Sequence, residues 1–176
     1  MTVSLQLAKE ADFPAIIAII AIMNAAFRGR EGWSIEGDYI AGERTSESLL
    51  REEIAGGALY LLAHDDVTST LQGCVSLQAS SPVKWYLGAL TVSPALQNTG
   101  FGRKLLEAAE KYAALQGART IEMTVVNVRE ALISWYERRG YERTGETRPF
   151  PYGDHRYGTP MRNDLEFVVL ERRLRE

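Results

Sequence analysis

The chain has 176 residues, 45% hydrophobic and 24% charged, with a net charge of −3. That length suits one domain, 1–176, with a substantial core, and the weak negative charge gives no pull toward nucleic acid or an anionic membrane. Cys74 is the only cysteine, which excludes an internal disulfide, argues against a cysteine-based metal site, and points to a reducing, cytoplasmic compartment.

Val3 to Ala8 reads as a strand. "FPAIIAIIAIMNAAF", Phe13 to Phe27, follows it. It is shorter than the roughly 20 residues of a membrane span, and acidic Glu10 and Asp12 precede it where a signal peptide would be basic. Asp12 as N-cap and Pro14 in the first turn start a helix instead. Its apolar stripe is Ile16, Ile19, Ile20, Met23 and Phe27, widened by Ile17, Ala21 and Ala25.

A glycine-punctuated loop runs from Arg30 to Arg44. Thr45 caps a second helix that continues to Ile54 and is ended by Gly56 and Gly57. "ALYLLA", "TLQGCVSLQA" and "WYLGALTV" are three strands joined by short polar links. A long helix runs from Gly100 to Gln116, with Phe101, Leu105, Ala108, Tyr112 and Leu115 on its inner face. "TIEMTVV" is a strand, "REALISWYERR" a helix stopped by Gly140, and "YERTGE" a short strand. The loop "RPFPYGDHRYGTPMRND" precedes the last strand, "LEFVVLERRL". With no internal repeat or linker, the expectation is one α/β (α+β) domain with a mixed, mostly antiparallel central sheet flanked by helices.

The segment "QNTGFGRK", Gln97 to Lys104, sets two glycines and two cations at the start of a helix. Glycine there costs roughly 1 kcal/mol against alanine, and cations oppose the helix dipole. Both choices fit an anion held at that helix end, reached by unsatisfied N–H groups. A glycine turn followed by a solvated basic face fits the spacing equally well. The nucleoside-triphosphate loop is excluded because no Gly-Lys-Ser/Thr follows, and Leu105 stands where the dinucleotide fingerprint has its third glycine.

"QNTGFG" resembles the Gln/Arg-x-x-Gly-x-Gly/Ala acetyl-CoA signature of the GNAT N-acetyltransferase superfamily, and it lies between a strand and a long helix as it does there. A second segment, "TVVNVREALISWYERRGY", Thr124 to Tyr141, resembles the family's strand-helix unit with its tyrosine and closing Gly-Tyr. The element order also fits across nearly the whole chain. The resemblance implies acetyl-CoA as cofactor, no metal, and acetyl transfer to a primary amine in a ternary complex.

It also implies roles for particular residues. Leu90, Thr91 and Val92 would bond the pantetheine arm through their backbone. Gln97, Asn98, Thr99, Gly100, Phe101, Gly102, Arg103 and Lys104 would wrap the pyrophosphate. Asn127 and Arg129 would face the cofactor, Arg129 standing where many members have asparagine. Tyr136 would protonate the departing thiolate. By its helical spacing alone, Tyr136 also reads as a core residue with Leu132.

The general base is open between a water chain, Glu122 and His155. The acceptor would be met by the two irregular segments, with Trp33, Tyr39, Arg44, Phe150, Tyr152 and Arg156 as candidates and Arg28, Arg148 and Tyr157 nearby; ordinary loop packing accounts for them equally well. A small-molecule amine is the favoured partner, because these loops carry mixed rather than acidic charge. A peptide or protein amine, a non-catalytic acyl-CoA-binding module, and a homodimer remain open alternatives.

Overall fold

The computed structural model describes residues 3–8, 13–33 and 35–174. In chain order its elements are β1 (Val3–Leu7), α1 (Phe13–Arg28), β2 (Ile40–Ala41), α2 (Glu47–Ala55), β3 (Leu59–Asp65), β4 (Leu71–Ala79) and β5 (Lys84–Val92). There follow α3 (Phe101–Leu115), β6 (Thr120–Val126), α4 (Glu130–Glu137), β7 (Glu142–Pro149), β8 (Thr159–Pro160) and β9 (Glu166–Arg173). Seven strands form one sheet in the order β1-β3-β4-β5-β6-β9-β7. All neighbours in it are antiparallel except β5 and β6. The parallel pair needs a crossover, which α3 supplies.

Strands β3 to β6 bury both faces, as the centre of a sheet must when helices cover it on each side. Tyr60 and Leu62 of β3 join Ile16, Ile19, Met23 and Leu50 from α1 and α2 in one cluster. The alternate residues Leu61 and Ala63 face the opposite way, into a cluster with Leu105, Leu106 and Ala109 of α3 and Ile133 of α4. Ile16 and Ile19 are fully buried, each contributing about 1.5–3 kcal/mol over an exposed side chain.

Several local expectations are corrected. In α1 the buried stripe is Ile16, Ile19, Ile22, Met23 and Ala26. Ile17, Ala21 and Ala25 are exposed, because at 100° per residue that series turns away from the sheet. The proposed cap at Asp12 lies outside the described residues. Ser46, not Thr45, caps α2, its hydroxyl accepting from the Leu49 amide at 3.4 Å. Thr45 is instead buried and held by its amide to Asn24 Oδ1. Leu115 is 75% exposed at the last turn of α3. The strand after Gly140 extends to Pro149 and pairs along β9 with an irregularity between Arg143 and Thr147.

The two long irregular segments are not independent. Ile40 and Ala41 pair with Pro160 and Thr159, so β2 and β8 form a two-residue ribbon that ties the loop after α1 to the loop after β7. Arg28 reinforces the tie, donating to the carbonyls of Gly42 at 3.0 Å and Tyr157 at 2.7 Å.

Candidate active site

β5 and β6 pair only from Lys84↔Thr120 to Tyr86↔Glu122. Beyond that point the two strands part, while β5 stays paired with β4 as far as Val92↔Gly73. Ala89, at φ 50°, forms part of an irregularity in β5. The Ser93 amide donates to Gln72 O on the β4 side. By the alternation of a strand, Val92 therefore turns its N–H and C=O to the open side. A cleft of about 750 Å³ occupies the gap, walled by Leu87–Val92 on one side and Met123–Val126 on the other.

One end of the cleft is the start of α3. Asn98 and Gly100 adopt left-handed backbone, at φ 63° and 85°, and tighten the turn. The helix begins at Phe101 rather than Gly100, and Gly100 is an N-cap without a side-chain hydrogen bond. The first intrahelical-type bond is Lys104 N to Gly100 O at 3.2 Å. The amides of Phe101, Gly102 and Arg103 therefore lack helical acceptors.

The two glycines serve different purposes. A Cβ on Gly100 would meet nothing within 4 Å, so that glycine answers the backbone angle. A Cβ on Gly102 would lie 3.5 Å from Val92 Cγ2 and 3.7 Å from Trp135 Cζ2. Its absence keeps open the passage between β5 and α4.

Tyr136 and Arg129 come to this cleft from α4 and its N-cap. The Tyr136 ring is buried and packs edge-on against Trp135 and Tyr141. Among the described residues nothing hydrogen-bonds its hydroxyl, which burial holds above the ordinary phenol range. The phenol therefore keeps its proton at neutral pH. Arg129 lines the cleft but donates to Glu36 Oε1 at 3.0 Å.

Glu36 also pairs with Arg28 at 3.3 Å, and all three side chains are nearly buried. Burial pulls Arg28 below its ordinary range, partly countered by Glu36. One carboxylate thus holds two guanidiniums and joins the first loop to α4. No local pattern announces Glu36, because Arg129 is 93 residues away.

The placement of the other expected residues is mixed. Leu90, Thr91, Val92, Gln97, Asn98, Gly100, Gly102 and Arg103 line the cleft; Thr99, Phe101 and Lys104 do not. Phe101 is core, while the other two are exposed. The Gln97 side chain is a staple, accepting from the Trp33 amide at 3.1 Å and donating to Val92 O at 3.3 Å. Asn127 lies outside the lining, with Nδ2 on Asp164 O at 2.9 Å and Oδ1 accepting from Glu166 N at 3.2 Å. Its side-chain amide thus secures the entry to β9.

Trp33, Arg44 and Phe150 also line the cleft, together with Arg28 and Tyr157. Tyr39, Tyr152 and Arg156 do not. Tyr39 is buried with Ile40, Val126 and Leu165. The Tyr152 hydroxyl accepts from Leu165 N at 2.8 Å. Arg156 is exposed and paired with Asp154 at 2.8 Å and Glu52 at 3.2 Å.

Neither named base reaches the cleft. Burial alone would push the Glu122 carboxyl up, but Lys84 at 2.7 Å and Arg148 at 2.8 Å outweigh it and hold the group below the usual range. His155 is exposed on the turn before β8. Glu53 and Tyr60, which the spacing did not single out, do line it. A signal was present for Glu53, which lies i+4 from buried Leu49 and i+3 from buried Leu50 on the inner face of α2. Among the described residues no group of three or more His, Cys, Asp or Glu is arranged to hold a metal, and no helix is long and apolar enough to cross a membrane.

A family model described as the acetyltransferase (GNAT) family matches residues 18–141. A search among curated proteins returns no match. Among solved structures, the PaiA N-acetyltransferase from Thermoplasma acidophilum in complex with coenzyme A is similar at 20% identity and TM-score 0.71, over 99% of this chain and 100% of that one. A GNAT family acetyltransferase from Elizabethkingia anophelis with acetyl-CoA bound is similar at 16% and 0.68, over 98% of each chain. The ribosomal-protein-S18-alanine N-acetyltransferase from Escherichia coli is similar at 16% and 0.70, over 99% of this chain and 96% of that one. At these identities the likeness to each structure is one of fold.

Proposed function

Since the chain belongs to the acetyltransferase (GNAT) family, whose model matches residues 18–141, we propose that it transfers the acetyl group of acetyl-CoA to the primary amine of a small molecule in a ternary complex. The observation that carries this reading is the parting of β5 and β6 beneath the uncapped start of α3. Unpaired strand backbone suits an extended arm with amide groups, and three free amides at a helix start suit a pyrophosphate. Acetyl-CoA supplies such an arm, a pyrophosphate and an activated carbonyl.

In this reading, the backbone of Leu90–Val92 holds the arm, and the amides of Phe101–Arg103 with the Arg103 guanidinium hold the phosphates. The Val92 N–H on the open side is a donor for the oxygen that gains charge as the amine attacks. The acceptor amine loses its proton to water, forms the new C–N bond, and displaces the thiolate. Tyr136 then gives that thiolate its hydroxyl proton and regains one from water; burial keeps the phenol in its protonated form at neutral pH, and among the described residues its oxygen has no hydrogen-bond partner.

The β2–β8 ribbon and Arg28 draw the acceptor-side loops together, which favours a small acceptor over a polypeptide. A buried Cys74, its thiol pushed up to about 12 by burial, is inert and suits a reducing cytoplasm.

The test is an amine screen with acetyl-CoA, reading free thiol. Thiol release that requires both an amine and Tyr136 supports the reading. Tight coenzyme A binding with no turnover for any amine or peptide would favour the binding-module alternative.

A further inference from the structure

Most charged side chains on or near the acceptor wall are matched. Arg28 and Arg129 share Glu36, Arg148 holds Glu122, and Arg156 holds Asp154 and Glu52. Among the described residues, Arg44 and Glu53 on that wall are not, and Arg139, also at the cleft, lies over the Trp135 ring and donates to its carbonyl. The Arg44 guanidinium lies over the rings of Phe27 and Tyr157, 5.3 and 5.6 Å from their centroids. Among the described residues its side chain makes no hydrogen bond or ion pair. Glu53 accepts one hydrogen bond, from the Tyr60 hydroxyl to Oε2 at 2.5 Å, and has no cationic partner among the described residues.

Each arrangement is specific to one sign of ligand. Two rings flank the guanidinium, and its N–H donors, with no acceptor among the described residues, suit a planar acceptor such as a carboxylate. Glu53 sits in the last turn of α2, which carries no basic residue. The dipole there disfavours the carboxylate and favours a cation beside it. Tyr60 and Tyr157 feel both charges, Glu53 raising and Arg44 lowering each hydroxyl, after burial as the leading cause. The opposite charges line one cleft, and among the described residues they form no direct pair. The cleft that both line also carries the aromatic side chains of Phe27, Trp33, Phe150 and Tyr157.

We propose that the acceptor is a small amino acid with an apolar side chain, its carboxylate held by Arg44 and its ammonium group by Glu53. The proposal rests on the acetyl-transfer reading above and names the substrate class for it. Glu53 is a specificity-determining residue here: it gathers the ammonium group at the cleft, and the proton then leaves to water as the amine attacks. Tyr60 acts through Glu53 as a positioning residue, since its hydroxyl holds one carboxylate oxygen in place.

Leucine, methionine and phenylalanine are each compared with the matching decarboxylated amine and carboxamide. Two readouts are used: thiol release from acetyl-CoA, and calorimetric titration into the protein saturated with coenzyme A. At least one amino acid is expected to exceed its amine and amide by about 100-fold or more in kcat/KM, since a site built to hydrogen-bond a polar group rejects an analogue lacking it by up to about 10⁴- to 10⁵-fold. Arg44→Met should bring that ratio close to one, and Glu53→Gln should raise KM for acid and amine alike. Both variants should bind coenzyme A as wild type does, which separates lost recognition from lost folding.

Equal use of acid, amine and amide, or an Arg44→Met effect that is the same on all three, overturns the proposal. Acetylation of the amines alone overturns it while leaving the acetyl-transfer reading standing. Arg44-dependent amino acid binding with no thiol release would keep the clamp and sink the transfer reading. Neither binding nor release across the panel sinks both.

Discussion

Replacing Gly102 with valine places three carbon atoms in the gap between the end of β5 and α4. The first would sit 3.5 Å from Val92 Cγ2 and 3.7 Å from Trp135 Cζ2, ordinary contact distances, so the protein itself has room for it. Valine is also a somewhat better helix former than glycine. Folding stability should thus move by less than about 1 kcal/mol. The two branched methyls, however, have only the passage to enter, between Val92 and the free amides of α3.

A hydrogen bond from an amide to a charged group contributes roughly 1.5–3 kcal/mol. Losing one phosphate contact already weakens acetyl-CoA binding by at least about tenfold, since 1.4 kcal/mol is one decade. Gly100→Ala is the matched control. Its Cβ meets nothing within 4 Å but sits at φ 85°, so it should lower stability by about 1 kcal/mol or more, with a smaller effect on affinity. Calorimetric titration with acetyl-CoA and thermal melts read the two quantities separately. A folded Gly102→Val protein with wild-type affinity would refute the phosphate-cradle reading.

Further expectations follow from the same geometry. Tyr136→Phe keeps the ring against Trp135 and Tyr141 and should lower kcat by roughly 10²- to 10⁴-fold with little change in melting temperature; a loss confined to KM would mean that the hydroxyl only positions ligand. Glu36→Gln leaves Arg28 and Arg129 without their shared counter-ion, and urea denaturation should show a loss of about 3–5 kcal/mol; a loss under about 1 kcal/mol would show that the pairs are dispensable. Because Lys84 and Arg148 overcome the burial of Glu122 and hold its carboxyl below the ordinary 4.5, the carboxylate stabilises the fold above that pH. This contribution is lost as pH falls through the lower folded value, so Glu122→Gln should flatten the acid limb of the stability profile; an unchanged acid limb would show that the pairing contributes nothing.

Local chemistry made much of this protein legible from its residues. Glycines set the ends of α2 and α3 within one or two positions, apolar periodicity marked α1 and α3, and β-branched and aromatic runs marked the long strands, because these signals act within a few residues of their cause. The turn "QNTGFG" and the tyrosine of "SWYERRGY" stood out through their resemblance to family segments, and both line one cleft in the structure. Tertiary structure alone decided which face of each element the protein uses. Ile17 and Leu115 belong to apolar series yet are exposed, and Asn127 is engaged by a backbone 37 residues on. It also decided where β5 and β6 separate, since strand propensity is indifferent to which neighbour completes a ladder. The ionic pattern of the acceptor wall was least legible of all. A charged residue has the same propensity whether matched or free, and only the fold places Glu36 between Arg28 and Arg129 while setting Arg44 over two rings in the cleft that Glu53 also lines.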